Sequence, residues 1–516
     1  MRKLMILGIL WMIWGTAGFA QDQPKMGGTL IWGRSTDPVF LDPAKTSDSE
    51  EARVTANIFE GLVRYQDGSE DIEPALAVSW ETSKDEKEWI FHLRKDVTFH
   101  DETPFNAEAV VFSFLRQIDS KHPFHREGFK FANAVFKYVK TVEAIDEYTV
   151  KITLEKPYAP FLYNLRMRHA APIVSPSAVK KLGDQFEKHP VGTGPFRFAE
   201  WIPEDRIILE KNPTYWGNSP YLDRIVFKTI ADNKTRLLEL QTGAIHGMEG
   251  IEPDAVEEIK NNKELRFEIK PDLNVGYLAF NTEKKPFDQV KVRQAINYAI
   301  NKHNLIKLLY QDMAIPAKNP IPPILWGYND EIADYEYQPE KARQLLKEAG
   351  CGAGFDTTLW AMPVSRPYMP QPEKIARAIK SNLAAIGVRA EIITHDWKNY
   401  LKKIANGEHD MCLIGWISDN GDPDNFLYVL LDKDNAVKPK AQNVAFFKDD
   451  RLHDILIHAQ QISNLEERIR LYRSAQEIIH EKAPWVPLAH AQRPGVFRNN
   501  VHNVIRFIQF EKAWVE

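Results

Sequence analysis

The stretch from Pro339 to Trp416 constrains the fold most. Pro339 to Ala349 sets Ala342, Leu345, Leu346 and Ala349 on one helical stripe, and Gly350 stops it. Residues 357–362 (TTLWAM) then read as a strand. Pro372 to Ile386 repeats the device with Ile375, Ile379, Leu383 and Ile386, closed by Gly387, before a second strand at 388–395 (VRAEIITH). A third helix, Trp397 to Ala405, stops before Gly407 and leads into the apolar run 410–416 (DMCLIGW). Helices alternating with strands in this way predict an α/β fold, with a mainly parallel sheet covered by helices. Ligands of such sheets sit outside the carboxyl ends of the strands. Two ends are visible here. PVSRPY carries Arg366 and Tyr368, and ISDNGDPDNF carries Asp419, Asp422 and Asp424. A cation on one loop and carboxylates on the other suit a ligand with an anionic end and a cationic end.

Each of these residues also has a plainer reading. Pro363 and Pro367 stiffen the backbone around Arg366, so its guanidinium is set to fork onto a carboxylate, although most loop arginines are simply solvated. Asp419 follows Trp416 at the end of an apolar strand and could accept an ammonium. Asp422 and Asp424 fit turn formation better. The spacing in DNGDPDN does not match a helix-loop-helix calcium site. His122 and His125 flank Pro123 and Phe124 and read as loop residues. No nucleophile elbow, zinc-protease helix or phosphate loop is present, so a binding role is expected and not an enzyme, with no cofactor or metal.

The N-terminus reads as an address. Arg2 and Lys3 precede an apolar run of 11 residues, Leu4 to Trp14, and Gly18 and Ala20 stand before Gln21 as at a signal-peptide cleavage site. Residues 1–20 are therefore expected to be removed and the mature chain exported to the periplasm, with no Cys at its start for a lipid anchor. The full sequence of 516 residues allows about three domains. With 66 basic and 71 acidic residues the net charge is −5, which excludes a general nucleic-acid binder. Cys351 and Cys412 are the two cysteines, and export leaves both a disulfide and two free thiols open. In the first half, Glu88–Arg94 and Tyr148–Leu154 alternate like half-buried strands. Asn106 is placed to cap a helix over AEAVVFSFLRQI.

The segments IFEGLVRY (58–65), DVTFHDETPFNAEAVVFSFLR (96–116), VGTGPFRF (191–198), LAFNTEKKPFDQVKVRQAINYAI (278–300), AMPVSRPY (361–368) and GWISDNGDPDNF (415–426) cover nearly the whole chain. On them the sequence resembles the family 5 periplasmic solute-binding proteins of peptide ABC importers, and among them the dipeptide-binding proteins. The resemblance implies a two-lobe, three-domain clamp. Its first domain would be discontinuous (21–56, 188–268 and 488–516), its second an insertion (57–187) and its third 269–487. It implies that Asp419 takes the ligand's α-ammonium and Arg366 its carboxylate, with Trp416 and Tyr368 lining the pocket. Thr46 and Ser47 match the opposite lobe's contact region. Family disulfides do not map onto Cys351 and Cys412. The partners it implies are a short peptide and an inner-membrane permease, for a monomer. Relatives take other ligands, among them haem, longer or antimicrobial peptides, glutathione and nickel complexes, so haem stays open as a ligand. A peptidase or a chaperone for exported chains are readings from other classes.

Overall fold

The computed structural model describes residues 23–516 apart from 68, 70 and 506–508. The expected signal peptide lies outside the described residues. Among them, no helix is long and apolar enough to cross a membrane.

The alternation in the second half forms as its periodicity predicts. Helices span Pro339–Glu348, Pro372–Ala384 and Trp397–Ala405, and strands span Phe355–Trp360, Val388–Ile393 and Met411–Ile417. Gly350, Gly387 and Gly407 follow the helices with φ of +77°, +85° and +74°, the left-handed turn that a Cβ disfavours. The first two helices bury Ala342 and Leu346, and Ile375, Ile379 and Leu383, from their expected stripes, while Leu345 and Ala349 are only partly buried; the third buries Tyr400 and Ile404.

The sheet these strands build is mixed, which corrects the expectation of a mainly parallel one. Its order is Ala314–Pro316, Trp485–Ala491, Asn274–Phe280, Met411–Ile417, Phe355–Trp360, Val388–Ile393. Only Phe355–Trp360 pairs in parallel, with a neighbour on each side. The other pairings are antiparallel. The reason is connectivity: crossover helices join only the last three strands, while the others enter from distant parts of the chain.

A second sheet of seven strands runs in the order Leu265–Lys270, Arg493–Arg498, Gly247–Met248, Thr29–Arg34, Arg224–Thr229, Arg206–Lys211, Phe196–Ile202. A third, antiparallel sheet of four strands contains Glu88–Leu93 and Thr149–Leu154, the two segments read as alternating strands. The helix Ala107–Ile118 packs on it, capped by Asn106, whose side chain accepts from the Ala109 amide at 3.1 Å. Each sheet has its own apolar core. The chain passes between the six- and seven-stranded sheets twice, at 271–273 and at Gln492. The expected boundaries at 268/269 and 487/488 therefore fall inside the strands Leu265–Lys270 and Trp485–Ala491.

Candidate functional site

Parallel pairing puts the carboxyl ends of Phe355–Trp360 and Met411–Ile417 at one edge of the six-stranded sheet, with Trp360 opposite Cys412. The loops that follow carry the two charges. Arg366 is partly exposed, and its backbone pairs with Met369 in both directions, at 3.2 and 2.9 Å. Its guanidinium lies over the Trp397 ring, 4.8 Å from the centroid. Among the described residues it has no hydrogen bond or ion pair of its own.

Tyr368 seats this loop on the sheet. Its carbonyl accepts from the Tyr310 hydroxyl at 3.0 Å. Its ring lies so close over Gly415 that a Cβ there would stand 2.2 Å from Tyr368 Cδ2. Burial pushes its phenol up to about 12. Tyr368 is 7% exposed, so its ring serves mainly as the loop's anchor.

Asp419 ends the other strand with its surface open to solvent. Its neighbours are buried: Ser418 donates its amide to the Leu273 carbonyl at 2.8 Å, and Asn420 is 4% exposed. The Asp419 carboxyl has no hydrogen-bond or ion-pair partner among the described residues. The protein around it thins out bulk water and raises it from the usual 3.8 to about 6. Trp416 is half-buried, and its indole N–H donates to Asn425 Oδ1 at 2.8 Å, which fixes the ring beside this loop. The edge thus presents one cation and one anion, neither neutralised by the protein.

Asp422 and Asp424 do form the turn expected of them, the Asp424 amide donating to Asp422 Oδ1 at 2.9 Å. Sequence reasoning missed their second role. Asp422 is fully buried against Arg468, 2.8 Å away, and Tyr472 also donates to it. Burial and the charge of Asp422 raise the Asp424 carboxyl, which accepts from Gln460. Arg468 lies far along the chain in the helix Leu465–Lys482, so no local motif signals it. Trp397 was likewise missed as the surface under Arg366, although it opens the helix just beyond a third parallel strand end.

Thr46 was expected in the contact region of the opposite lobe. It is fully buried, and its hydroxyl lies 3.0 Å from the Pro43 carbonyl and 2.7 Å from His169 Nδ1. His169 stacks on Phe131, and burial lowers it to about 4, so it is neutral. Thr46 thus fastens its loop to the neighbouring unit. Ser47 is half-buried and accepts from Lys130 Nζ at 3.1 Å, and its amide donates to Glu51. The two cysteines are free, Cys412 buried in its strand and Cys351 half-buried.

Two sheets joined by two crossings, with unpaired charges at a strand-end edge, define a two-lobe periplasmic-type solute-binding protein. The chain belongs to the bacterial extracellular solute-binding proteins, family 5, whose middle-region model matches residues 71–438. It is 40% identical over 491 residues to heme-binding protein A of Haemophilus influenzae, covering 92% of this chain and 89% of that protein. It is 38% identical over 484 residues to the dipeptide-binding protein of Escherichia coli, covering 90% and 89%. In structure it is similar to the periplasmic binding protein DppA of Helicobacter pylori, solved in complex with the peptide STSA. The TM-score is 0.76 at 39% identity, over 95% of this chain and 99% of that one.

Proposed function

We propose that this protein captures dipeptides in the periplasm by their two charged termini and delivers them to an inner-membrane ABC permease. The observation that carries the reading is the pair of uncompensated charges, Asp419 and Arg366, on adjacent strand-end loops. The Escherichia coli relative named for dipeptides supports the ligand class. The mature chain begins near Gln21, and its three units are those of the three sheets. Asp419 accepts the α-ammonium and Arg366 the carboxylate, while Trp416 and Tyr368 shape the space between. Charge pairs that exclude water add strength when both members are present. Two fixed charges act as a ruler: one more residue adds at most about 3.3–3.6 Å, so length is selected without reading side chains. Side chains then sit among adaptable waters.

Asp419→Ala and Arg366→Ala are each expected to weaken dipeptide binding at least about tenfold, since an unpaired member of a desolvated pair costs about 2–5 kcal/mol. Calorimetric titration measures this, and affinities within threefold of wild type for both variants would sink the ruler. The first experiment is a thermal melt of refolded, ligand-free protein with one amino acid, dipeptides, STSA and haem. A ligand at 100 times its Kd adds about 2.7 kcal/mol. Shifts with dipeptides alone support the reading. STSA equal to dipeptides removes the ruler and keeps a peptide binder. A shift with haem only, the ligand named for the Haemophilus influenzae relative, replaces the ligand class.

A further inference from the structure

Asp419 follows the strand Met411–Ile417 of the six-stranded sheet, but the residue after it is held by the four-stranded unit. The Asn420 carbonyl accepts from Arg166 Nε at 2.7 Å, and its Nδ2 donates to Asn164 Oδ1 at 2.8 Å. These partners precede it by 254 and 256 residues. They belong to the segment around the helix Pro160–Asn164, whose Phe161 and Leu165 lie in the core of the four-stranded unit. Both are anchored there. Asn164 Nδ2 donates to the Ala134 carbonyl at 3.1 Å, and the Arg166 guanidinium lies 3.9 Å from the centroid of the Tyr65 ring. Asn164 and Arg166 are buried, at 3% and 4% exposed. Their bonds to Asn420 are therefore shielded from competing water.

The loop is also held from its own lobe. Ser418 Oγ accepts from the Gly421 amide at 3.0 Å, and Asn420 Oδ1 accepts from the Asp422 amide at 3.0 Å. Asp422 in turn is locked to Arg468. Both backbone neighbours of Asp419 are thus fixed, and only its side chain is left free. Such a group must be held within about 0.5 Å by its supporting residues if it is to meet a ligand atom without reorganising.

We propose that Asn164 and Arg166 are positioning residues for peptide capture: by clamping Asn420, the four-stranded unit aims the Asp419 carboxylate at the ligand's ammonium. The inference rests on the reading of Asp419 as the ammonium acceptor. It gives the four-stranded unit a part in recognition through two residues that are themselves buried.

A double-mutant cycle separates this from a merely structural role. Dipeptide affinity is measured by calorimetry for wild type, Asp419→Asn, Asn164→Ala, Arg166→Ala, and each clamp variant combined with Asp419→Asn. Each clamp variant is expected to weaken binding about fivefold or more when Asp419 is present and less than about twofold when Asn replaces it. Equal losses in both backgrounds overturn the proposal. So do clamp variants that bind like wild type while Asp419→Asn binds weakly. If Asp419→Asn itself binds like wild type, the reading of Asp419 falls, and the proposal with it. Asn420→Ala removes the Asn164 bond from the loop side and asks the same question, with the same deciding outcomes, should a clamp variant not fold.

Discussion

At the scale of single residues, the unpaired carboxyl of Asp419 costs the folded chain stability at neutral pH. Its carboxyl stands at about 6 in the folded, ligand-free protein against 3.8 ordinarily, because the protein packed around this solvent-facing group leaves less water to solvate the charged form. Between these values the folded chain keeps a proton that the unfolded chain has lost, so stability falls as pH rises through that window and stays reduced at pH 7. Asp419→Asn keeps the shape and removes the charge. Without ligand it is expected to melt higher than wild type at pH 7, with the gap closing below about pH 4. A ligand ammonium favours the charged form, so binding expels the proton. Dipeptide Kd is then expected to rise up to about tenfold per unit as pH drops below about 6. The dipeptide's own termini, near 3.5 and 8, stay charged across most of that range. Titrations from pH 4.5 to 7.5 check this, and a flat profile would count against Asp419 as the acceptor.

At the scale of elements, the loop of Arg366 depends on a missing side chain in the next strand. At Gly415 a Cβ would stand 2.2 Å from the Tyr368 ring and 2.5 Å from the Val275 carbonyl. Gly415→Ala must therefore lift the loop or shift the strand. Overpacking of this kind costs about 1–3 kcal/mol. The variant is expected to melt lower and to bind dipeptides more weakly, because Arg366 moves with Tyr368. An unchanged Kd would show that the loop's seat does not set the site. The glycine could be read as part of GW, but the ring above it could not, since Tyr368 lies 47 positions away along the chain. The same limit runs through the site. The places of Arg366 and Asp419 on strand-end loops were legible because strand ends follow from local periodicity. The Arg468–Asp422 pair, the Trp397 surface and the Asn420 clamp were not, since each joins segments that only the fold brings together. The sheet's mixed sense was missed for the same reason: periodicity marks a strand but not the neighbour it pairs with.

At the scale of the whole molecule, the two crossings between the sheets are bound to each other. Asp272 and Arg493, one in each crossing region, are paired at 3.1 Å. Beside them Asn274 Nδ2 donates to the Ala491 carbonyl at 2.8 Å, and Asn274 Oδ1 accepts from the Ala491 amide at 2.9 Å. The Asp272–Arg493 pair is partly solvated and adds little. The Asn274 amide is buried, and its two bonds tie the crossings into one strap. On the proposed function, closure is expected to be a rotation of the lobes about this paired strap, with the bound peptide favouring the closed state. Asn274→Ala leaves the Ala491 N–H and C=O without these partners, at a cost of about 1–3 kcal/mol for each group left unpaired. It also lets the crossings bend separately. Its melting temperature is expected to fall. The drop in radius of gyration that a saturating dipeptide produces in wild type, read by solution scattering, is expected to shrink. Asp419→Asn keeps the strap and weakens the ligand, so it is expected to melt no lower than wild type without dipeptide and to reach the same compaction only at a correspondingly higher dipeptide concentration. An Asn274→Ala protein that melts and compacts like wild type would mean that the crossings act independently and that the lobes are guided by something else.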